Sequence, residues 1–520
     1  MPVKTTTLAT EPVLVQQHEL TRATTSGTNS EEQIYSATIL TYGATLTHLI
    51  CPDRWNQPQD IVLGFDHWED YLAQAQPGAL NPYFGAIIGP TASRIANATF
   101  QLDSTHLQIN TTATTASPTT PTSPTATHVL QVSNGLDCHH GGPKGFDKQH
   151  WTTVEVNQEE TSVTLEWVSP HGEHGYPGRL VSRVQYRWTD QGELAIEFSA
   201  QLEEEKQRRA KDTATSMDLH STIVSLTNHA YWNLDGVLNL SEVQADQLQS
   251  LLIKTPPISG ATYASHKEDE NVAVIKNPCS VRDHTLWLST PALVELGNKH
   301  PVPTGVILDV RKTPELHVQK ELLDFTGGET GAGAGAGAGT GVIQKLSADK
   351  SKSLAYGLEL IPGGYGYDHV FALDGTDATH PTPVPVNDVG IQAYWPRTPH
   401  VATLYSSRSG IRLDLSTTEP ALVLYASGYL DKSLLHRTKS KTLNIPSNPP
   451  VISPAAAVIE STATTDKVVK IEAEFDKFAG LCLEPIRYPD AIHHRDWAKM
   501  VTLHHDHVYR HRSVYKLSAE

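Results

Sequence analysis

Residues 193-ELAIEFSAQL-202 set Leu194, Ile196 and Phe198 on one side of an extended chain and Glu193, Ala195 and Glu197 on the other. A period of two is what a half-buried antiparallel strand requires. Outward from this stretch, strand-like signals recur in 162-SVTLEWVS-169, 180-LVSRVQYRW-188 and 222-TIVSLTNHAYWNL-234. They recur again in 35-YSATILTYGATLTHLIC-51, 411-IRLDLSTTEPALVLYAS-427 and 468-VVKIEAEF-475. The best helical candidate, 285-TLWLSTPALVELGNK-299, is short and interrupted by Pro291. Many short strands divided by Gly, Pro and Asn turns predict an all-β fold, a large antiparallel sandwich or barrel.

The chain has 520 residues, of which 38% are apolar and 19% charged. The charged share lies below the ~25% of an ordinary globular protein; Thr, Ser, Pro and Gly fill the difference. Forty Lys and Arg against 57 Asp and Glu give a formal charge of −17, which excludes a generic phosphate-backbone binder. No apolar run approaches the ~20 residues of a membrane span. The opening MPVKTTTLATEPVLVQQHEL has no basic segment followed by an apolar one, so no secretory signal is expected and the location reads as cytoplasmic. Cys51, Cys138, Cys279 and Cys482 are scattered with no CxxC pair, against a disulfide scaffold or zinc ribbon.

Residues 1–30 read as a partly mobile N-terminal extension and 31–520 as a single domain. Surface insertions are expected near 111–127, 203–218, 327–352, 374–387 and 435–466, whose compositions cannot offset their own ordering entropy. The Gly/Ala run inside 327–342 lacks the GxxxxGK[ST] residues of a phosphate loop.

Reactive and polar residues crowd into six segments. These are 83-YFGAIIGPTASRIANATF-100, 134-NGLDCHHGGPKGFDKQHW-151, 226-LTNHAYWNLDG-236, 363-GGYGYDHVFALD-374, 417-TTEPALVLYASGYLD-431 and 480-GLCLEPIRYPDAIHH-494. Taken singly, His140 is a turn residue, His229 a satisfied half-buried imidazole, Asp368 a turn cap and Arg94 an ion-pair partner. Trp232 and Phe84 are core aromatics or faces for stacking on a sugar. Glu484 is harder to dismiss, because a carboxyl among Leu481, Cys482 and Leu483 is costly unless paired or used.

Together, in this order, the segments resemble the galactose mutarotase (aldose 1-epimerase) family. The resemblance covers roughly 35–515, and its most specific strings are HHGGPKGFD, TNHAYWNL and the late CLEP. It implies a supersandwich of antiparallel strands, in agreement with the strand reading. It also implies that His229 is the general acid and Glu484 the general base. Arg94, His140 and Asp368 would hold the sugar, with Ser93 and Trp232 beside them. The implied reaction opens a cyclic aldose: a base takes the C1 hydroxyl proton, an acid protonates the ring oxygen, and the roles reverse on closure. It needs no metal and no cofactor, and its partner is a free aldohexose, with no nucleic acid or membrane; the chain is expected as a monomer or weak dimer. On this reading the imidazole is protonated near neutral pH, and hydrogen bonds or a cation keep the carboxylate ionised.

Four positions depart from the family pattern. Ser93 stands where Asn is usual, Pro485 and Ile486 where Thr and Gln are common, and His139 adds a second imidazole beside His140. Other readings are a hexose-6-phosphate 1-epimerase, which calls for an Arg cluster, and a non-catalytic carbohydrate-binding or regulatory protein. A metal site on one side of a strand carrying His505, His507 and His511 is a further one.

Overall fold

Leu194, Ile196, Phe198, Ala200 and Leu202 are buried, while Glu193, Glu197, Ser199 and Gln201 stay half-exposed; Ala195, on the opposite face, is covered as well. The strand Glu193–Leu202 lies between two antiparallel neighbours, Leu180–Trp188 and His507–Ala519. In this computed structural model, residues 2–25, 32–74, 76, 79, 81–103, 125–203, 221–238, 272–297, 301–312, 352–353, 365–373, 384–385, 398–431, 438–445 and 467–520 are described.

Those three strands are the middle of a ten-stranded sheet. It runs from Thr152–Asn157 and Ser162–Ser169 through them to Ile411–Thr417, His400–Ser406, His284–Leu288 and Lys352–Ser353, with Val384–Pro385 pairing on His507–Ala519. A second sheet of six has the order Tyr231–Trp232, Leu481–Ile486, Ala421–Tyr425, Asp368–Ala372, Ala292–Leu296, Pro303–Asp309. A third of five runs in chain order, Val3–Ala9, Val15–Thr25, Glu32–Leu40, Thr45–Pro52 and Pro58–Asp60. One hydrophobic cluster draws on all three: Leu194 and Phe198 from the first, Leu483 and Leu422 from the second, Leu20 and Ile39 from the third. Burial of a contiguous apolar surface between sheets is what makes a sandwich stable. Among the described residues the α-helices are the short Trp68–Gln74 and Ala498–Val501. Pro291 divides the helical candidate into two strands of different sheets, His284–Leu288 and Ala292–Leu296.

Several boundaries differ from the sequence reading. Residues 2–25 are no appendage: Val3–Ala9 and Val15–Thr25 extend the five-stranded sheet, with Val15, His18 and Leu20 buried; residues 26–30 lie outside the described residues. The polar, Thr-rich wording hid an edge, since one face of these strands is open to water. Within the expected 435–466 insertion, Ser440–Ile445 pairs with Lys467–Glu474. Just before it, the buried Lys439 ammonium donates to Asp60 Oδ2 at 2.6 Å and to the Val62 carbonyl at 2.7 Å. Residues 125–127 belong to a strand, Thr125–Val129, that pairs with Thr99–Asp103; 352 and 384–385 are also strand residues. The remainder of the five tracts, apart from Glu203 and Thr438, lies outside the described residues.

Candidate active site

The six-stranded sheet carries the centre of the site. In register, Tyr231 stands opposite Cys482, Cys482 opposite Tyr425, and Tyr425 opposite Asp368, so the four form one row on one face. Glu484, two residues beyond Cys482, shares that face and stands opposite Val423. The intervening Leu481, Leu483, Leu422 and Leu424 point the other way, into the core. Strict alternation therefore explains a carboxyl embedded in an apolar string: its neighbours in sequence are not its neighbours in space.

His229 reaches this face from the bend between Thr227–Asn228 and Tyr231–Trp232. Its backbone is clamped on both sides, the amide donating to the Ala86 carbonyl at 3.0 Å and the carbonyl accepting from Gly85 N–H at 2.9 Å. Asn228 fixes the bend: its Nδ2 donates to the Gly85 carbonyl at 2.7 Å and its Oδ1 accepts from Ala230 N–H at 3.1 Å. Asn233 ties the following turn to the Ala479 carbonyl at 2.8 Å. The polar residues Asn228 and Asn233 of the TNHAYWNL string are thus backbone fasteners around one imidazole that lines the cleft.

The cleft above the row has a volume of about 430 Å³, within the range of small-molecule sites. His229, Glu484, Arg94, His140, Asp368 and Ser93 all line it, and so does His139. Trp232 does not. It is fully buried and packs on Tyr515 with ring centroids 5.0 Å apart, so its expected role at the sugar is corrected to one in the core. Strand alternation turns Trp232 away from the face that its neighbour Tyr231 occupies. The aromatic walls of the cleft come instead from Tyr83, Tyr231, Tyr425 and Tyr429. Tyr425 and Tyr429 sit in the 417–431 segment, where the spacing of two tyrosines around a Gly was the available signal.

His229 Nε2 lies 3.6 Å from Glu484 Oε1, both side chains almost fully buried. Burial drives the two in opposite directions: the imidazole is pushed down to about 4, while the carboxyl rises well above its ordinary range, helped by the negative charge of Asp368. This reverses the expected protonation of each group. Dryness thus favours a neutral imidazole beside a carboxylic acid over a charged pair. Ile486, which replaces a polar residue of the family pattern, lines the cleft and contributes to that dryness.

Opposite the pair, Ser93, His140 and Tyr83 all adopt left-handed backbone conformations, with φ of 61°, 52° and 57°. Such strain in residues other than glycine concentrates at functional sites. Ser93 N–H donates to His140 Nδ1 at 3.1 Å, which leaves the His140 proton on Nε2. Gly141 follows at φ +80°, and a Cβ there would stand 1.9 Å from the Gly89 carbonyl oxygen; the HGG wording records this contact. His139 stacks on His140 with centroids 3.7 Å apart, and burial with the neighbouring imidazoles holds both below the ordinary range, His139 at about 3. Arg94 Nη1 lies 3.8 Å from Asp137. Asp368 is open to the cleft, and its carboxyl is raised by burial and partly restored by Arg94.

His229, Cys482 and Glu484 also form the one group of three potential metal ligands found within 4.8 Å among the described residues. The thiol lies 3.7 Å from Nδ1 and the carboxyl 3.6 Å from Nε2. An imidazole binds a metal through one nitrogen in its ring plane, so these two do not converge on a common coordination point. The C-terminal histidines do not gather either. His511 is buried with Nδ1 3.0 Å from the Leu226 carbonyl and Nε2 2.8 Å from Ser513 Oγ, whereas His507 pairs with Asp506 at the surface.

A large antiparallel sandwich here presents an imidazole and a carboxyl together in a polar cleft, and any function is read from that site rather than from the fold. The chain belongs to the aldose 1-epimerase family, whose model matches residues 28–272 and 271–516. It is 27% identical over 482 residues to human galactose mutarotase, covering 92% of this chain and 90% of that one. Bovine galactose mutarotase is 36% identical over 198 residues, a match that spans 38% of this chain and 44% of the bovine one. Escherichia coli aldose 1-epimerase is 31% identical over 221 residues, 42% of this chain and 50% of that one. Among solved structures, the aldose epimerase homologue from C. elegans shares the fold with a TM-score of 0.55 at 21% identity, covering 93% of this chain and 96% of that one. Galactose 1-epimerase from Lactobacillus acidophilus does so with a TM-score of 0.54 at 15% identity, over 99% and 98%.

Proposed function

We propose that the protein is an aldose 1-epimerase that interconverts the α and β anomers of a free aldohexose. The observation that carries this reading is the His229–Glu484 pair, 3.6 Å apart at the cleft surface. The two oxygens that exchange protons in ring opening, O1 and O5, are both bonded to C1. An acid and a base this close can serve both at once.

In the reactive state His229 is protonated on Nε2 and Glu484 is ionised. Glu484 takes the O1 proton, His229 protonates O5, and the C1–O5 bond breaks to give the open-chain aldehyde. The pair is then a neutral imidazole and a carboxylic acid, the arrangement that burial favours, so the dry site assists ring opening. Rotation about C1–C2 and reversal of both transfers close the ring on the other face. The proton count of the pair is unchanged after each turnover. His140, through Nε2–H, donates to a sugar hydroxyl; Arg94 donates to another, and Asp368 accepts. Groups placed to bond hydroxyls reject analogues that lack them.

Polarimetry on freshly dissolved α-D-glucose and α-D-galactose tests the assignment. Purified protein is expected to speed equilibration, and a His229→Ala, Glu484→Gln double variant to lose that effect; equal rates for the two proteins rule the assignment out. Arg94 is the one cation lining the cleft among the described residues, which disfavours a 6-phosphate substrate. Glucose is accordingly expected to outpace glucose 6-phosphate. The chain acts as one unit on this reading, the strands Val3–Ala9 and Val15–Thr25 included, as a monomer or weak dimer in the cytoplasm, a setting consistent with four buried free cysteines. Among the described residues no helix is long and apolar enough to cross a membrane.

A further inference from the structure

Cys482 stands at the rear of the imidazole, whose other close hydrogen-bond partner is its own backbone carbonyl. It is fully buried, sits two residues before Glu484 on the same strand face, and places Sγ 3.7 Å from His229 Nδ1. One strand therefore addresses both ring nitrogens, sulfur at Nδ1 and carboxyl at Nε2. The other groups around the ring are Tyr83, His140, Tyr231 and Tyr425, with centroids 5.6, 5.5, 5.1 and 6.4 Å away. The thiol also has the Tyr231 hydroxyl as a partner.

An imidazole that gives up a proton from Nε2 and takes it back must keep its other proton on Nδ1 throughout. The nitrogen that stays protonated is set by the hydrogen bond it makes. We propose that Cys482 is a positioning residue, whose sulfur accepts a hydrogen bond from His229 Nδ1–H and so reserves Nε2 for proton exchange with the sugar. A sulfur is a weak acceptor and a neutral one. It orients the ring without the added basicity that a carboxylate at the same place confers, and so leaves the pair free to settle as neutral imidazole and acid. The inference rests on the proposed acid role of His229.

The test is the ¹⁵N spectrum of the full-length, ¹⁵N-histidine-labelled protein without sugar at neutral pH, with the His229 signals assigned by their absence in His229→Gln. The expected result is a single tautomer protonated on Nδ1. A wild-type signal protonated on Nε2 overturns the proposal whatever the variants do. In Cys482→Ala, a mixture of tautomers is expected, with kcat down about tenfold and KM within about twofold, since orientation rather than sugar contact is lost. Cys482→Ser, which retains an acceptor, is expected to restore most of kcat. An unaltered tautomer in Cys482→Ala shows that the ring's own backbone carbonyl suffices and overturns the proposal. So does an equal loss in the Ala and Ser variants, which marks a packing role. Absence of anomerisation by the wild type refutes the function itself while leaving the tautomer measurement readable.

Discussion

His229 and Glu484 differ in chain position by nearly half the sequence, yet they act as one titrating unit because both are dry. Acidification adds a proton to His229 while Glu484 is already protonated, which removes the base. Alkali removes the single proton the pair shares. The profile of kcat/KM against pH is therefore expected to be bell-shaped, with its acid limb near pH 4, where the buried imidazole titrates. An acid limb at pH 6 to 7 contradicts the burial argument. Replacing either residue alone is expected to lower kcat by about 10²- to 10⁴-fold. Trp232 separates core from site: Trp232→Phe is expected to lower stability by about 1–3 kcal/mol with kcat nearly unchanged. The sequence named His229, Glu484, Arg94, His140, Asp368 and Ser93 because each stands in a distinctive string. It misplaced Trp232 because a string does not say which side of a strand a residue occupies when aromatics stand on both.

At the level of elements, the site depends on strand alternation and on one close backbone approach. The odd and even residues of Leu481–Ile486 serve different masters, the core and the cleft. Leu483→Ala, at a position 1% exposed, is expected to cost about 2–5 kcal/mol, measured by urea denaturation, while KM stays near the wild-type value. Gly141→Ala forces a Cβ against the Gly89 carbonyl, so it is expected to shift His140 and raise KM in addition to lowering the melting temperature. An unchanged KM in that variant contradicts the role given to the His140 turn. The strands Glu193–Leu202 and Leu180–Trp188 were readable from their period. The edge strand Val3–Ala9 was not, since an edge open to water lacks the apolar alternation that marks a buried one, and neither was Ser440–Ile445, whose polar wording shows no such period.

Across the whole molecule, burial sets the response to acid. His18, His140, His229, His284 and His511 are buried and held below the ordinary imidazole range by desolvation. As pH falls from 6.5, the unfolded chain binds protons that the folded chain refuses, so their stabilisation is present above pH 6.5 and is lost below it. The buried carboxyls of Asp147, Glu419 and Glu484 are raised, Glu419 to about 7, and oppose this, being most stabilising in acid. Lowered imidazoles, His48, His139 and His369 among them, outnumber the raised carboxyls, so the folded state is expected to lose stability as pH falls below about 6.5. The urea midpoint is expected to fall below that pH; a rise contradicts it. The all-β architecture was legible at this scale because strand-like runs recur along the chain and no helix of ordinary length competes with them. The sheet order was not, since the cleft joins residues 83–94, 139–140, 229–231, 368, 423–430 and 484–486, which only long-range pairing brings together.

The most direct test is exchange NMR between the α and β anomeric protons of galactose at equilibrium, with wild type, His229→Ala and Glu484→Gln at equal concentration. Exchange cross-peaks that appear with wild type and fade to the buffer level with either variant are the predicted result. Cross-peaks of undiminished intensity in either single variant contradict a shared-proton mechanism.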